Sequence, residues 1–325
     1  MCFALILSVT TILGLHPSIA AEKTDRPFKK IRFGVGYIPN VQFAPIYVAQ
    51  EKGFYAEEGL EVGLEYGFEN DFVLLTAQGE REFALASGDQ VILARAQGIP
   101  ITYIMKWHQR YPVALMVPSS KNITRLSQLK GKRVGIPGFF GASFIGWKAL
   151  LFTSGLHEKD VQVKQIGFTQ ASAVQQDLVD AAVVYIVNEP IQLRNAGVDV
   201  HVFEVSDYID LVSNGLVVGE KLMKDDPDLV KGTVRATQRG MQYAIANPDE
   251  AFEISRKMIP EISDEDAPVQ RQVMDASIEL WKSDEPGISS KKAWQDSIDF
   301  MRKTGILDKP VDINTLFTNR FIQTR

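Results

Sequence analysis

Cysteine is almost missing from this 325-residue sequence, which holds one, Cys2. No disulfide can close within the chain, and no multi-cysteine metal site can be built. Histidine is scarce as well. His16, His108, His157 and His201 stand in unrelated segments, and none has a histidine partner three or four residues away on a helix. An H-E-x-x-H zinc site is therefore excluded, and no nucleophile elbow, G-x-x-x-x-G-K phosphate loop or G-x-G-x-x-G fingerprint occurs. Positive charge is in the minority, with 35 Lys and Arg against 40 Asp and Glu and a net charge of −5. That balance argues against a nucleic-acid partner, which needs a basic face. Against these absences, 45% of residues are apolar and 23% are charged, so a packed core is expected and wholesale disorder is not.

The first twenty residues stand apart. Cys2 to Leu15 is uncharged and mostly apolar, and Ser18-Ile19-Ala20 closes it with small residues at alternate positions. This is the pattern of a secretory signal cleaved after residue 20, although no lysine or arginine precedes the apolar stretch. The run is short for a membrane span. No small-residue lipobox precedes Cys2, so it is not read as a lipidated cysteine.

Beyond Lys30, short apolar runs alternate with helical stretches. Strands are expected at Ile31–Tyr37, Leu60–Tyr66, Phe83–Ala86 and Ile101–Trp107, with helices between them that end at Gly53, Gly79 and Gly98. A second set follows, with strands at Val113–Val117, Arg133–Ile136, Val161–Ile166, Ala181–Tyr185, Val200–Phe203 and Leu216–Val218. Its helices are expected near 143–153, at Ala171–Val179 and at Glu189–Asn195. After Pro227 only helical periods remain: Asp228–Ala246, Asp249–Met258, Ala267–Ser283 and Lys291–Thr304. The reading is an α/β protein of two similar lobes with mainly parallel sheets and a helical tail. Ligands of open parallel sheets bind beyond the carboxyl ends of the strands, so Tyr37, Ala86, Ile136 and Tyr185 should converge on one cleft.

Polar and aromatic residues gather at those strand ends. They include Tyr37 to Asn40, Ser87-Gly88-Asp89, Trp107-His108, the Pro137 to Ser143 turn and Tyr185 to Glu189. Each has a structural alternative. Ser87, Asp89 and Ser143 are residue types that cap helices, Glu189 complements a helix dipole, and Trp107 suits a core. Their coincidence at five strand ends favours a binding cleft.

Gly36-Tyr37-Ile38-Pro39-Asn40, then Ala44 to Tyr55 (A-P-I-Y-V-A-Q-E-K-G-F-Y) and Gly59-Leu60-Glu61-Val62 resemble the opening of the SsuA/THI5-like (NMT1-type) solute-binding proteins of ABC importers. Ser87-Gly88-Asp89, Leu126 to Val134, Asn188-Glu189-Pro190 and Asn214-Gly215 extend the resemblance, which runs from about Lys30 to Ala246. It implies a type II periplasmic binding fold, with two α/β lobes joined by two crossing strands and a ligand cleft between them. One lobe would comprise residues 30–116 and 215–325, and the other residues 117–214. The implied partners are a small heterocyclic ligand and the membrane permease and ATPase of an importer. The protein would be an exported monomer in the periplasm without cofactor, metal or catalytic residue.

The candidate ligand-binding set is Tyr37, Asn40, Phe43, Ser87, Asp89, Trp107, Phe140, Gly141, Ser143, Tyr185, Asn188 and Glu189. No arginine or lysine lies in the cleft segments, which disfavours a sulfonate. Flat aromatic faces beside carboxylates and amides suit a neutral, donor-rich heterocycle. Among the ligands that the resemblance implies, a thiamine pyrimidine precursor, hydroxymethyl- or formylaminomethyl-pyrimidine, takes first place, and riboflavin is the alternative, with Phe139 and Phe140 lining a longer slot. The family also contains pyrimidine synthases that use iron and pyridoxal phosphate with a cysteine-rich cluster. The mature chain, lacking cysteine, departs from that pattern.

Overall fold

The computed structural model describes residues 28–323, so the export signal expected at residues 1–20 lies outside the described residues. In chain order the strands are β1 (Lys29–Val35), β2 (Leu60–Tyr66), β3 (Phe83–Ser87), β4 (Ile101–Lys106) and β5 (Val113–Pro118). There follow β6 (Arg133–Ile136), β7 (Gln162–Gln165), β8 (Ala181–Tyr185), β9 (Val200–Glu204) and β10 (Asn214–Gly219). They form two five-stranded sheets, ordered β2-β1-β3-β10-β4 and β7-β6-β8-β5-β9. The plan is the same in both. Three parallel strands are followed by one antiparallel strand that arrives from the other half of the chain, β10 in the first sheet and β5 in the second. The sheets are therefore mixed rather than mainly parallel. This is the two-lobed α/β arrangement that the family resemblance implies.

β3 and β5 are buried along their whole length, because helices cover both faces of each sheet. One apolar cluster runs without a break from the helix Gly88–Ala96 of the first lobe to the helix Gly141–Ser154 of the second. The tail helices Pro227–Ala246 and Pro248–Met258 close the opposite face of the first sheet. At Gly240 the long tail helix comes so near the helix Ala44–Glu51 that an added Cβ would stand 2.1 Å from the Pro45 carbonyl oxygen. The tail also reaches the second lobe. From the helix Ala267–Trp281, Gln272 exchanges side-chain hydrogen bonds of 3.0 and 3.2 Å with Asn195.

The chain passes between the sheets twice, at residues 107–112 and 205–213. Both passages lie off the expected lobe limits. Val113 to Met116 belong to the second sheet, because they pair with Ala182 to Tyr185 of β8 and Ala114 to Met116 pair also with β9, and Asn214 pairs with Ser87 in the first. The passages are stitched together: Trp107 N–H donates to the Asn214 carbonyl at 2.9 Å, and the Ser213 hydroxyl donates to the His108 carbonyl. Two elements differ from expectation for local reasons. β1 stops at Val35, which leaves Tyr37 on a turn, and the helix expected to Val179 ends at Gln175 because Asp177 adopts a left-handed φ of 56°.

Candidate ligand-binding site

Between the lobes lies a cavity of about 880 Å³ counted to its mouth. Its mouth is aromatic and drawn from both lobes. The Phe68 ring meets Phe140 edge-on at 5.4 Å and lies 5.4 Å from Phe168, while Phe168 meets Tyr37 edge-on at 4.9 Å. Tyr37 and Phe68 follow strands of the first sheet, and Phe140 and Phe168 follow strands of the second.

Two carboxyl groups face the interior. Glu189 opens the helix Glu189–Asn195 and accepts from Tyr185 N–H at 3.1 Å, from the Asn188 amide at 3.3 Å and, across the cleft, from the Tyr37 hydroxyl at 3.4 Å. Burial raises its pKa, and these donors partly offset that. Tyr37 is pushed up in turn, first by burial and then by the negative charge of Glu189. Glu69 opens the helix Glu69–Gln78, accepts from Ser87 N–H at 2.7 Å and shares a hydrogen bond with the Ser87 hydroxyl. Burial, reinforced by the charge of Asp89, pushes Glu69 up to about 7.

At the hinge end the cavity is lined by His108, Tyr185 and Asn214. Burial pushes the His108 imidazole down to about 3, so it is neutral at physiological pH. Among the described residues neither of its ring nitrogens has a well-formed hydrogen bond, the Asn214 side chain being the polar group that bears on the ring, and the side-chain oxygen of Gln170 in the second lobe is likewise unpartnered. The helix Gly141–Ser154 presents its first turn to the cavity through Gly141, Ala142 and Ser143, without a side-chain cap. First-turn N–H groups have no partner inside a helix, so they are free to bind an acceptor. No lysine or arginine is among the lining residues.

Of the residues expected from the sequence, the structure brings Tyr37, Phe43, Trp107, Phe140, Gly141, Ser143, Tyr185, Asn188 and Glu189 to the cavity wall. Asn40, Ser87 and Asp89 stand behind it. The Asn40 side chain caps the turn Val41–Phe43 by accepting from Gln42 N–H at 3.0 Å, which presents Gln42 to the cavity instead. Asp89 accepts from the Ser87 hydroxyl at 2.7 Å, from Gln90 at 2.9 Å and from the Tyr111 hydroxyl at 2.6 Å, so its oxygens are used up by the protein. Phe139, expected beside Phe140, turns outward and is 54% exposed. At two strand ends the wall is shifted by one residue, to Leu85 in place of Ala86 and to Pro137 in place of Ile136. Phe68, Glu69, Phe168 and Gln170 were missed. They follow β2 and β7, whose carboxyl ends open onto the same cleft.

The sequence profile described as NMT1/THI5 like matches residues 40–251. The chain belongs to the NMT1/THI5-like family. Within this family it is 41% identical over 96% of its length to the riboflavin-binding protein RibY of Chloroflexus aurantiacus, covering 92% of that protein. It is 26% identical to a 4-amino-5-hydroxymethyl-2-methylpyrimidine phosphate synthase of Legionella pneumophila, over 89% of this chain and 90% of the synthase. Identity to the formylaminopyrimidine-binding protein of Halalkalibacterium halodurans is 24%, over 97% of each chain. Among solved structures, the alkanesulfonate-binding protein SsuA of Xanthomonas axonopodis pv. citri, bound to MOPS, superposes with a TM-score of 0.72. That match has 14% identity and covers 89% of this chain and 98% of SsuA, so it carries the fold alone. The NMT1/THI5-like chain thus has the type II periplasmic binding fold.

Proposed function

We propose that this protein is the solute-binding subunit of an ABC importer, a monomer exported to the periplasm that delivers riboflavin to a membrane permease and its ATPase. The observation that carries the ligand is the 41% identity to a riboflavin-binding protein across nearly the whole of both chains. The cavity supports it chemically. An isoalloxazine ring needs flat aromatic faces and a polar end, and here Tyr37, Phe68, Phe140 and Phe168 surround the mouth while His108, Asn214 and Tyr185 lie at the hinge. A thiamine pyrimidine precursor, first in order from the sequence and the family resemblance, becomes the second reading, resting on a relative at 24% identity.

The phosphate synthases of the family are a different class. A pyridoxal phosphate cofactor would need a lysine for its Schiff base. No lysine or arginine lines this cavity and two carboxyl groups do, so the wall does not fit that group. The same charge pattern should reject any phosphorylated ligand.

Quenching of flavin fluorescence and thermal shift test the proposal. Riboflavin at about a hundred times its Kd stabilises the native state by ~2.7 kcal/mol, whereas flavin mononucleotide gives no comparable shift. A shift with formylaminopyrimidine and none with riboflavin would transfer the assignment to the pyrimidines. Equal binding of riboflavin and its phosphate would overturn the argument from charge.

A further inference from the structure

We infer that His108 is the specificity-determining residue of this cleft, its imidazole held ready for the hydrogen-bonding edge of the ligand ring. The inference rests on the proposed function for its probe, riboflavin, but not for its geometry. His108 lies in the first passage between the lobes and lines the cavity, yet it is only 4% exposed. Among the described residues neither ring nitrogen has a well-formed hydrogen bond, and the one polar side chain that bears on the imidazole is that of Asn214. Its position is set by the backbone alone: its N–H donates to the Asn214 carbonyl at 3.4 Å, and its carbonyl accepts from the Ser213 hydroxyl.

Burying a polar group without a partner is unfavourable, and native proteins rarely leave one so. The Asn214 amide can serve only one of the two ring nitrogens, so the partner of the other enters with the ligand. A neutral imidazole offers one donor and one acceptor, which matches a ring bearing N–H and carbonyl groups and gives nothing to a purely hydrocarbon face. Asn214 stands beside the imidazole and is otherwise tied only by long contacts of 3.3 and 3.4 Å to the Tyr185 hydroxyl. Its amide is thus able to turn onto one nitrogen while the ligand takes the other. Because His108 lies in the first passage and Asn214 directly follows the second, the ligand edge would be read where the lobes hinge, while its flat faces are held at the mouth.

The test compares wild type, His108→Leu and His108→Gln in two measurements. Riboflavin affinity should fall about 10- to 100-fold in His108→Leu and be partly restored in His108→Gln, which keeps a donor and an acceptor. Without ligand, His108→Leu should melt at the same temperature as wild type or higher, since an unpaired buried polar group has been replaced by an apolar one. Unchanged affinity overturns the inference. So does a fall of several degrees in the ligand-free melting temperature, which would mean that the protein itself satisfies the ring. If wild type does not bind riboflavin, the functional proposal fails, and the ligand-free comparison still decides whether the imidazole is unpaired.

Discussion

Ser87 has one hydroxyl proton and two carboxyl neighbours, Glu69 and Asp89. Both contacts are satisfied only if one of the carboxyls carries a proton. Asp89 has further donors from Gln90 and Tyr111, whereas Glu69 has only those of Ser87, so Glu69 is the protonated member. Its native pKa is pushed up to about 7 by burial and by the charge of Asp89. Between the ordinary glutamate value and that pH the native state keeps a proton that the unfolded chain has lost. Stability therefore falls as pH rises through this window, by up to about 1.4 kcal/mol per pH unit. Thermal melts from pH 5 to 8 should show this slope in wild type, reduced in Glu69→Gln, with the variant the more stable protein above pH 7. A slope of wild-type size in Glu69→Gln would place the proton elsewhere. The sequence showed Ser87 and Asp89 as polar residues at a strand end, but not which way they face. Glu69 takes the place beside the cavity, and its partners come from a strand that is distant in the chain, which no local pattern records.

At the scale of elements, strands and helices were legible because their signals are local. β2, β6 and β8 and the helix Glu189–Asn195 have the bounds that apolar runs and flanking glycine and proline imply. The direction of β10 was not legible, since an apolar strand reads the same whether its neighbours run parallel or antiparallel. Close approaches between helices are equally silent. Gly240 could be taken for a weak point in the helix Pro227–Ala246, where glycine is normally unfavourable. The contact with Pro45 shows why alanine would be worse: its Cβ would meet a backbone oxygen at 2.1 Å. Gly240→Ala should cost about 1–3 kcal/mol through forced separation of the two helices. A melting temperature equal to or above that of wild type would show that the helix pair yields without strain.

On the scale of the whole molecule, the two lobes are held together across the cleft mouth as well as at the hinge. Phe168 touches both Tyr37 and Phe68 from the opposite lobe, and Tyr37 donates to Glu189. Hinge closure around a ligand is the known motion of this fold class. Removing the Phe168 ring should shift the ligand-free population toward an open form and weaken ligand binding. Small-angle scattering of ligand-free Phe168→Ala should give a larger radius of gyration than wild type. Equal radii, with equal riboflavin affinity, would mean that the aromatic contacts do not hold the lobes.

The insertion of β10 between β3 and β4 has a consequence in time. β4 stands at the edge of the first sheet, where β10 is the strand that pairs along it and Phe317 adds a single bridge at Tyr103, and β10 is made after every strand of the second sheet. While the chain emerges from its N-terminus, β4 has no strand to join, and the first lobe stays incomplete until residue 219 has been synthesised. Such late, distant pairing slows folding. For a chain that the proposed function sends through a membrane channel as an extended thread, the strand order itself would act as a delay, keeping the protein threadable until most of it exists.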